Sequence, residues 1–86
     1  MIYGMDTESV TALATTMADV AQRVRAMEAR LSQGLSATDW VGNDRNRFES
    51  DWTAQHVVAL RQAAEALDDA ARVAHDQVQQ QDRASA

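Results

Sequence analysis

The large apolar residues in the first part of the chain follow an unbroken alternation of three- and four-residue steps. They are Val10, Leu13, Met17, Val20, Val24, Met27 and Leu31. An average step of 3.5 residues keeps such a seam on one side of an α-helix, as coiled-coil packing requires. Asp6 is a suitable N-cap, and Glu8 places negative charge in the first turn. The pattern predicts a first helix at about 7–36.

A second apolar seam runs through the other half of the chain at similar steps. It consists of Phe48, Trp52, His56, Leu60, Ala63, Leu67, Ala70 and Ala74. Asn43 is a plausible cap and Asp44 a favourable first-turn anion, so we expect a second helix at about 44–80. The polar residues 81–86 are expected to form a flexible tail.

The only internal place for a chain reversal lies between Gly34 and Gly42, because the chain has no proline and its one other glycine is Gly4. We expect a turn at about 37–43. Since this connection is short, the two helices should run antiparallel, with the seam of large residues on the first helix packed against the second seam. Residues 1–86 would then form a single all-α domain, an antiparallel helix-turn-helix hairpin.

Each helix also carries a weaker apolar stripe that one hairpin partner cannot cover as well. These stripes are Ala14, Ala18 and Ala21 on the first helix, and Val57, Ala64, Ala71 and Val78 on the second. A chain of 86 residues with few aromatic side chains has little material for a core of its own. We therefore expect the hairpin to dimerise into a four-helix bundle. The competing interpretation is that alanine on a surface helix reflects helix propensity alone.

Composition and charge narrow the classes of function. The chain has a net charge of −5 and no cysteine. An acidic chain is a poor partner for a phosphate backbone, so nucleic acid is not expected. The sequence starts without the basic and apolar segments of a conventional signal peptide, and no apolar run approaches the roughly 20 residues that span a bilayer.

No residues form a recognisable catalytic or metal-binding pattern. His56 and His75 are too far apart on one helix to share a metal ion. The acidic group of Glu65, Asp68 and Asp69 lies within four residues of Arg61 or Arg72, which favours a salt-bridged surface over paired catalytic carboxylates. We expect no enzyme activity, no cofactor and no small-molecule substrate.

The predicted turn contains the sequence Trp40-Val41-Gly42. Trp40 would cap the open end of the bundle while its indole N–H finds a polar partner. Gly42 would let the backbone turn where a Cβ would clash. Together with Phe48 and Trp52 on the following helix, this Trp-x-Gly resembles the ESAT-like WXG family of actinobacteria and other Gram-positive bacteria. The likeness extends from Met5 to about Val78.

This resemblance implies a fold and a function. Members of the family are helical hairpins of about a hundred residues, exported folded by a type VII secretion system that a membrane ATPase drives. It implies that this chain is made in the cytoplasm and secreted as a homodimer, or as a heterodimer with a related WXG-type protein. Its partners would be that second hairpin and the secretion-system ATPase.

The C-terminal export signal common in the family, Tyr-x-x-x-Asp or Glu, has no full equivalent here. The only tyrosine is Tyr3, and the nearest match is Val78 with Asp82, which keeps an apolar residue and an acid one helical turn apart. Val78 is equally well explained as the last residue of its apolar stripe. The chain could travel on its partner's signal. The alternative function is a cytoplasmic adaptor or chaperone-like hairpin that binds a helical partner and is not exported.

Overall fold

The protein is a helical hairpin. The computed structural model describes residues 6–40, 42 and 44–85. Helix α1 spans Thr7–Ala37, and the second arm, residues 44–85, comprises α2 (Asp44–Asp51), a π-helical segment (Trp52–Val57) and α3 (Val58–Ser85). Arg25 contacts Asp68 while Glu28, further along α1, contacts Arg61. The arms therefore run antiparallel.

The ends of the helices differ slightly from the sequence prediction. Asp6 caps α1 as predicted, since its carboxylate accepts hydrogen bonds from the backbone N–H and hydroxyl of Ser9. These bonds hold the pKa of the Asp6 carboxyl below its ordinary value. The second arm continues helically to Ser85, five residues past the predicted end. Asn43, the predicted cap of that arm, lies outside the described residues.

The turn is closed by contacts from the second arm and from Trp40. Gly42 has a φ of +75°, a left-handed conformation that favours glycine. Beyond its own backbone and its chain neighbours, an added Cβ would meet nothing within 4 Å, so any clash comes from the backbone conformation itself. Arg45 donates to the carbonyl of Ser36, one of the last carbonyls of α1, which have no partner within the helix. The backbone angle alone thus explains Gly42.

The interface between the arms is built mainly from small residues at seven-residue intervals. The buried residues, which we call the inner stripe, are Ala14, Ala21 and Glu28 on α1, and Val57, Ala64, Ala71 and Val78 on the second arm. The predicted use of the two stripes is therefore reversed, because the weaker stripe lies inside the hairpin. Small side chains let two backbones approach closely, which increases dispersion contacts along the whole length. The large side chains are left only partly covered.

The π-helical segment corrects the register of the second arm. Phe48, Trp52, His56 and Leu60 follow one another at four-residue steps, which drift around an α-helix of 3.6 residues per turn. A π-helix closes its hydrogen bonds one residue later and so accommodates one extra residue. The residues that precede the π-helical segment are thereby rotated back by the angle of one residue. Trp52, five residues before Val57, takes the position that the residue four before Val57 would occupy in an unbroken α-helix.

Candidate interaction surface

The two long sides of the hairpin have different chemistry. Arg25 and Asp68, which contact each other, each lie four residues after a fully buried alanine. At about 100° per residue, a position four after a buried one is rotated by about +40°, and the position one before it by about −100°. Because the +40° positions of both arms meet along one edge, the −100° positions of both arms share the opposite side. We call the +40° side, which includes Arg25 and Asp68, the charged edge. We call the −100° side, which includes Leu13 and Val20, the apolar face.

The charged edge links the two arms by ion pairs. The Arg25 guanidinium lies 2.5 Å from the Asp68 carboxylate, and Arg61 Nε donates to Glu28 Oε1 at 2.9 Å. The predicted salt-bridged surface is present, but two of its members pair across the hairpin rather than along one helix. Arg72 with Asp69, at 3.3 Å, is a local pair. This edge is polar and its charges are largely matched.

The apolar face exposes large side chains that the hairpin does not cover. Leu13 is 54% exposed and Phe48 is 50% exposed. The other members of the predicted seam that are exposed are Val20, Met27 and Leu31. Members that are half-buried beside the inner stripe are Val10, Met17, Val24, Trp52, Leu60 and Leu67. The predicted packing residues thus lie side by side on one surface. The half-buried ones border the interface between the arms, and the exposed ones face solvent.

A groove of about 330 Å³ indents the apolar face at the end of the hairpin near the turn. We call it the turn-end groove. It is lined by Leu31, Leu35, Phe48, Trp52 and His56, which come from both arms. The rings of Trp52 and His56 lie 5.7 Å apart. The lining of this groove is largely apolar, and the π-helical segment supplies two of its walls, Trp52 and His56.

Behind this groove lies a chain of hydrogen bonds that we call the polar node. Trp52 Nε1 donates to Ser32 Oγ at 2.9 Å, and Ser32 Oγ donates to Glu28 Oε2 at 2.7 Å. Arg61 completes it by donating to the other Glu28 oxygen. Glu28 is only 6% exposed. The bond from Ser32, followed by that from Arg61, holds the pKa of the Glu28 carboxyl below its ordinary value despite this burial.

The remaining residues singled out from the sequence lie at the two ends of the hairpin. Trp40 is half-buried and donates its indole N–H to the carbonyl of Leu35 at 3.0 Å, and its ring lies 5.5 Å from that of Phe48. At the other end, Val78 is buried between the arms and Asp82 is exposed. Val78 therefore packs within the apolar stripe and does not share an exposed surface with Asp82.

Sequence reasoning missed the polar node. Ala14, Ala21 and residue 28 form one seven-residue series, and the acid at its third position was the available signal. A charged residue inside such a series predicts either an exposed position or a buried one with partners. Only the structure shows that Ser32 and Arg61 supply those partners.

Comparisons of the chain with protein-family models, with curated protein sequences and with solved structures found no match. No helix in the described part of the chain has an apolar stretch long enough to cross a lipid bilayer.

Proposed function

We propose that this chain is a non-enzymatic interaction protein that binds a second helical hairpin through its apolar face. The observation that carries the proposal is the asymmetry of the hairpin. One long side is closed by matched ion pairs, and the other exposes a row of large apolar side chains along α1, with Phe48 beside it on the second arm. Monomeric proteins seldom leave such a row uncovered.

The amount of exposed surface supports a partner of similar size. A globular protein of this mass would expose about 5000 Å². This chain exposes 6400 Å². The excess of roughly 1400 Å² exceeds the ~800 Å² per partner of a standard interface. A second hairpin laid against the apolar face would complete a four-helix bundle.

The turn then points to a particular class of hairpin protein. Trp40 and Gly42 stand at the chain reversal, with Phe48 against the Trp40 ring. We propose on this resemblance that the chain is a WXG-type substrate, exported folded by a type VII secretion system as a homodimer or with a related chain. Val78 is buried, which favours export on a signal carried by the partner or by another part of the assembly.

The association is tested with two matched substitutions. Val20 lies on the apolar face, and Val58, also exposed, lies on the side of the second arm that faces away from it. Val20→Glu should abolish the dimer in sedimentation equilibrium, because a carboxylate would be buried without a partner. Val58→Glu should leave the dimer intact. Equal behaviour of the two variants would contradict the proposal. A stable wild-type monomer at all accessible concentrations would exclude the homodimer and leave a related chain as the partner.

Export is tested in the organism of origin. Deleting the type VII ATPase should abolish the appearance of this chain in the culture supernatant while leaving the cell-associated pool. Normal amounts in the supernatant of the deletion strain would exclude export by that route. A pool confined to the cytoplasm while the secretion system exports other substrates would favour the alternative function, a cytoplasmic adaptor or chaperone-like hairpin.

A further inference from the structure

Trp52 is held from two directions. Its ring forms a wall of the turn-end groove, while its indole N–H points back into the hairpin to Ser32. The Ser32 hydroxyl donates its only proton to Glu28, which leaves its oxygen free to accept from Trp52. Each bond in this chain fixes the direction of the next, from the buried carboxylate to the half-buried ring.

We infer that Glu28 is a positioning residue for the docking surface: through Ser32 it fixes the Trp52 indole as the rigid wall of the turn-end groove. This inference rests on the proposed function in so far as the groove receives part of a second hairpin. It gives the polar node a role in partner binding beyond its contribution to the stability of the hairpin.

The composition of the inner stripe separates these two roles. Positions 14 and 21 of the same seven-residue series are alanines, so an apolar residue at position 28 would continue the stripe. Replacing a buried ion pair by an apolar residue of similar volume is often neutral or stabilising. The Arg61 side chain is 70% exposed and would return to solvent without a buried charge being orphaned. A carboxylate that served stability alone is a poor choice at this position.

A single buried polar residue in an apolar series is a known means of fixing how helices fit together, at the expense of stability. Here the polar residue reaches a tryptophan, a side chain whose two torsions leave it little freedom once its N–H is bound. A groove whose wall is fixed before binding loses less conformational freedom on association than one whose wall must be ordered.

The test uses variants of the full chain in a Trp40→Phe background, in which Trp52 is the only tryptophan. Ser32→Ala removes the acceptor of the indole, Glu28→Met removes the anchor with little change in volume, and Glu28→Gln keeps a group that can bond Ser32. Ser36→Ala, an exposed serine one turn further along α1, is the control. Acrylamide quenching of Trp52 is measured on dilute monomer, and self-association by sedimentation equilibrium.

We expect Ser32→Ala and Glu28→Met to increase quenching of Trp52 and to weaken self-association about tenfold, the effect of one hydrogen bond. The urea midpoint of Glu28→Met should be unchanged or higher, whereas that of Ser32→Ala should fall modestly because the buried Glu28 carboxylate loses a donor. Glu28→Gln and Ser36→Ala should resemble the background chain in both measurements.

The outcomes separate this inference from the proposed function. Unchanged quenching in Ser32→Ala would overturn the positioning role, whatever the strength of self-association. Increased quenching in Ser32→Ala and Glu28→Met, reversed in Glu28→Gln, would support it even if the background chain failed to associate, a result that would count against the proposed homodimer alone. Loss of folding in Glu28→Met together with unchanged quenching in Ser32→Ala would assign Glu28 to stability and overturn the inference.

Discussion

Glu28 is a charged residue in the inner stripe whose burial is compensated by two hydrogen-bond donors. It lies in a series of buried small residues, where an ionised carboxylate loses hydration. Two donors, the Ser32 hydroxyl and the Arg61 guanidinium, each take one of its oxygens. Because both donors favour the ionised form, they outweigh the desolvation and lower the pKa.

This lowered pKa gives the hairpin a pH dependence with a defined sign. The stabilising contribution of Glu28 is fully present above the pKa of the unfolded glutamate, and it is lost as the pH falls through the lower folded value. The advantage of the wild type over Glu28→Gln in urea unfolding should therefore shrink at acid pH. Asp6 also has a lowered pKa, so this difference, rather than the wild-type slope alone, isolates Glu28.

Glu65→Gln provides the control for that measurement. Glu65 is exposed on the same side of the hairpin, and its substitution removes the same charge without touching the polar node. Glu65→Gln should keep the loss of stability at acid pH that Glu28 confers, because the polar node remains intact. Parallel curves for the wild type and Glu28→Gln would mean that the folded pKa of Glu28 is not lowered.

Among the elements, the inner stripe depends on the smallness of its residues. Ala21 and Ala64 have no exposed surface, so a larger side chain at either position must push the arms apart. Ala21→Leu should lower the free energy of unfolding by about 1–3 kcal/mol, the usual effect of overpacking. Ala29→Leu, at an exposed position of the same helix, should change it by less than about 0.5 kcal/mol in urea titrations. A stabilising Ala21→Leu would mean that the arms have room between them.

The π-helical segment makes an unusual prediction about deletions. Removing the exposed Thr53 should convert the segment Trp52–Val57 to an ordinary α-helix while keeping Phe48 and Trp52 on the apolar face. Removing Ala66 from α3 should rotate everything upstream by about 100° and separate the inner stripe from α1. Circular dichroism and thermal unfolding should show a folded hairpin for the first deletion and a strongly destabilised one for the second. The opposite order would exclude the register argument.

The sequence predicted the helices because their signals are local. These signals are Asp6 as a cap, the three-and-four steps of the apolar residues and the glycine at the reversal. Each acts within a turn or two of its own helix and does not depend on the other arm. Which of the two apolar stripes packs inside the hairpin does depend on the other arm. Both Val20 and Ala21 belong to regular apolar stripes, and residue size suggested that the larger one is buried. Close backbone approach favoured the smaller one, an advantage that depends on both helices at once.

At the scale of the whole molecule, the protein is a rod. Its dimensions are 66 × 17 × 16 Å, and its radius of gyration is 19.2 Å. A compact chain of this length would have a radius of about 12 Å. Two arms side by side have no third layer to cover them, so each arm meets solvent on every side except the one packed against the other arm. The apolar face is the direct consequence of this shape.

The shape also distinguishes the ways in which two copies can associate. If the apolar faces pack against each other side by side, small-angle X-ray scattering of the dimer should give a longest dimension close to the 66 Å of one chain, with the cross-section increased. Association through the turn, where the Trp40 and Phe48 rings lie 5.5 Å apart, would instead give about twice that length. We expect the shorter particle, because the exposed apolar side chains run along the rod from Leu13 to Leu31 and a tip-to-tip contact would leave most of them in water. A longer particle that is unaffected by Val20→Glu would show that the turn, not the apolar face, is the interaction surface.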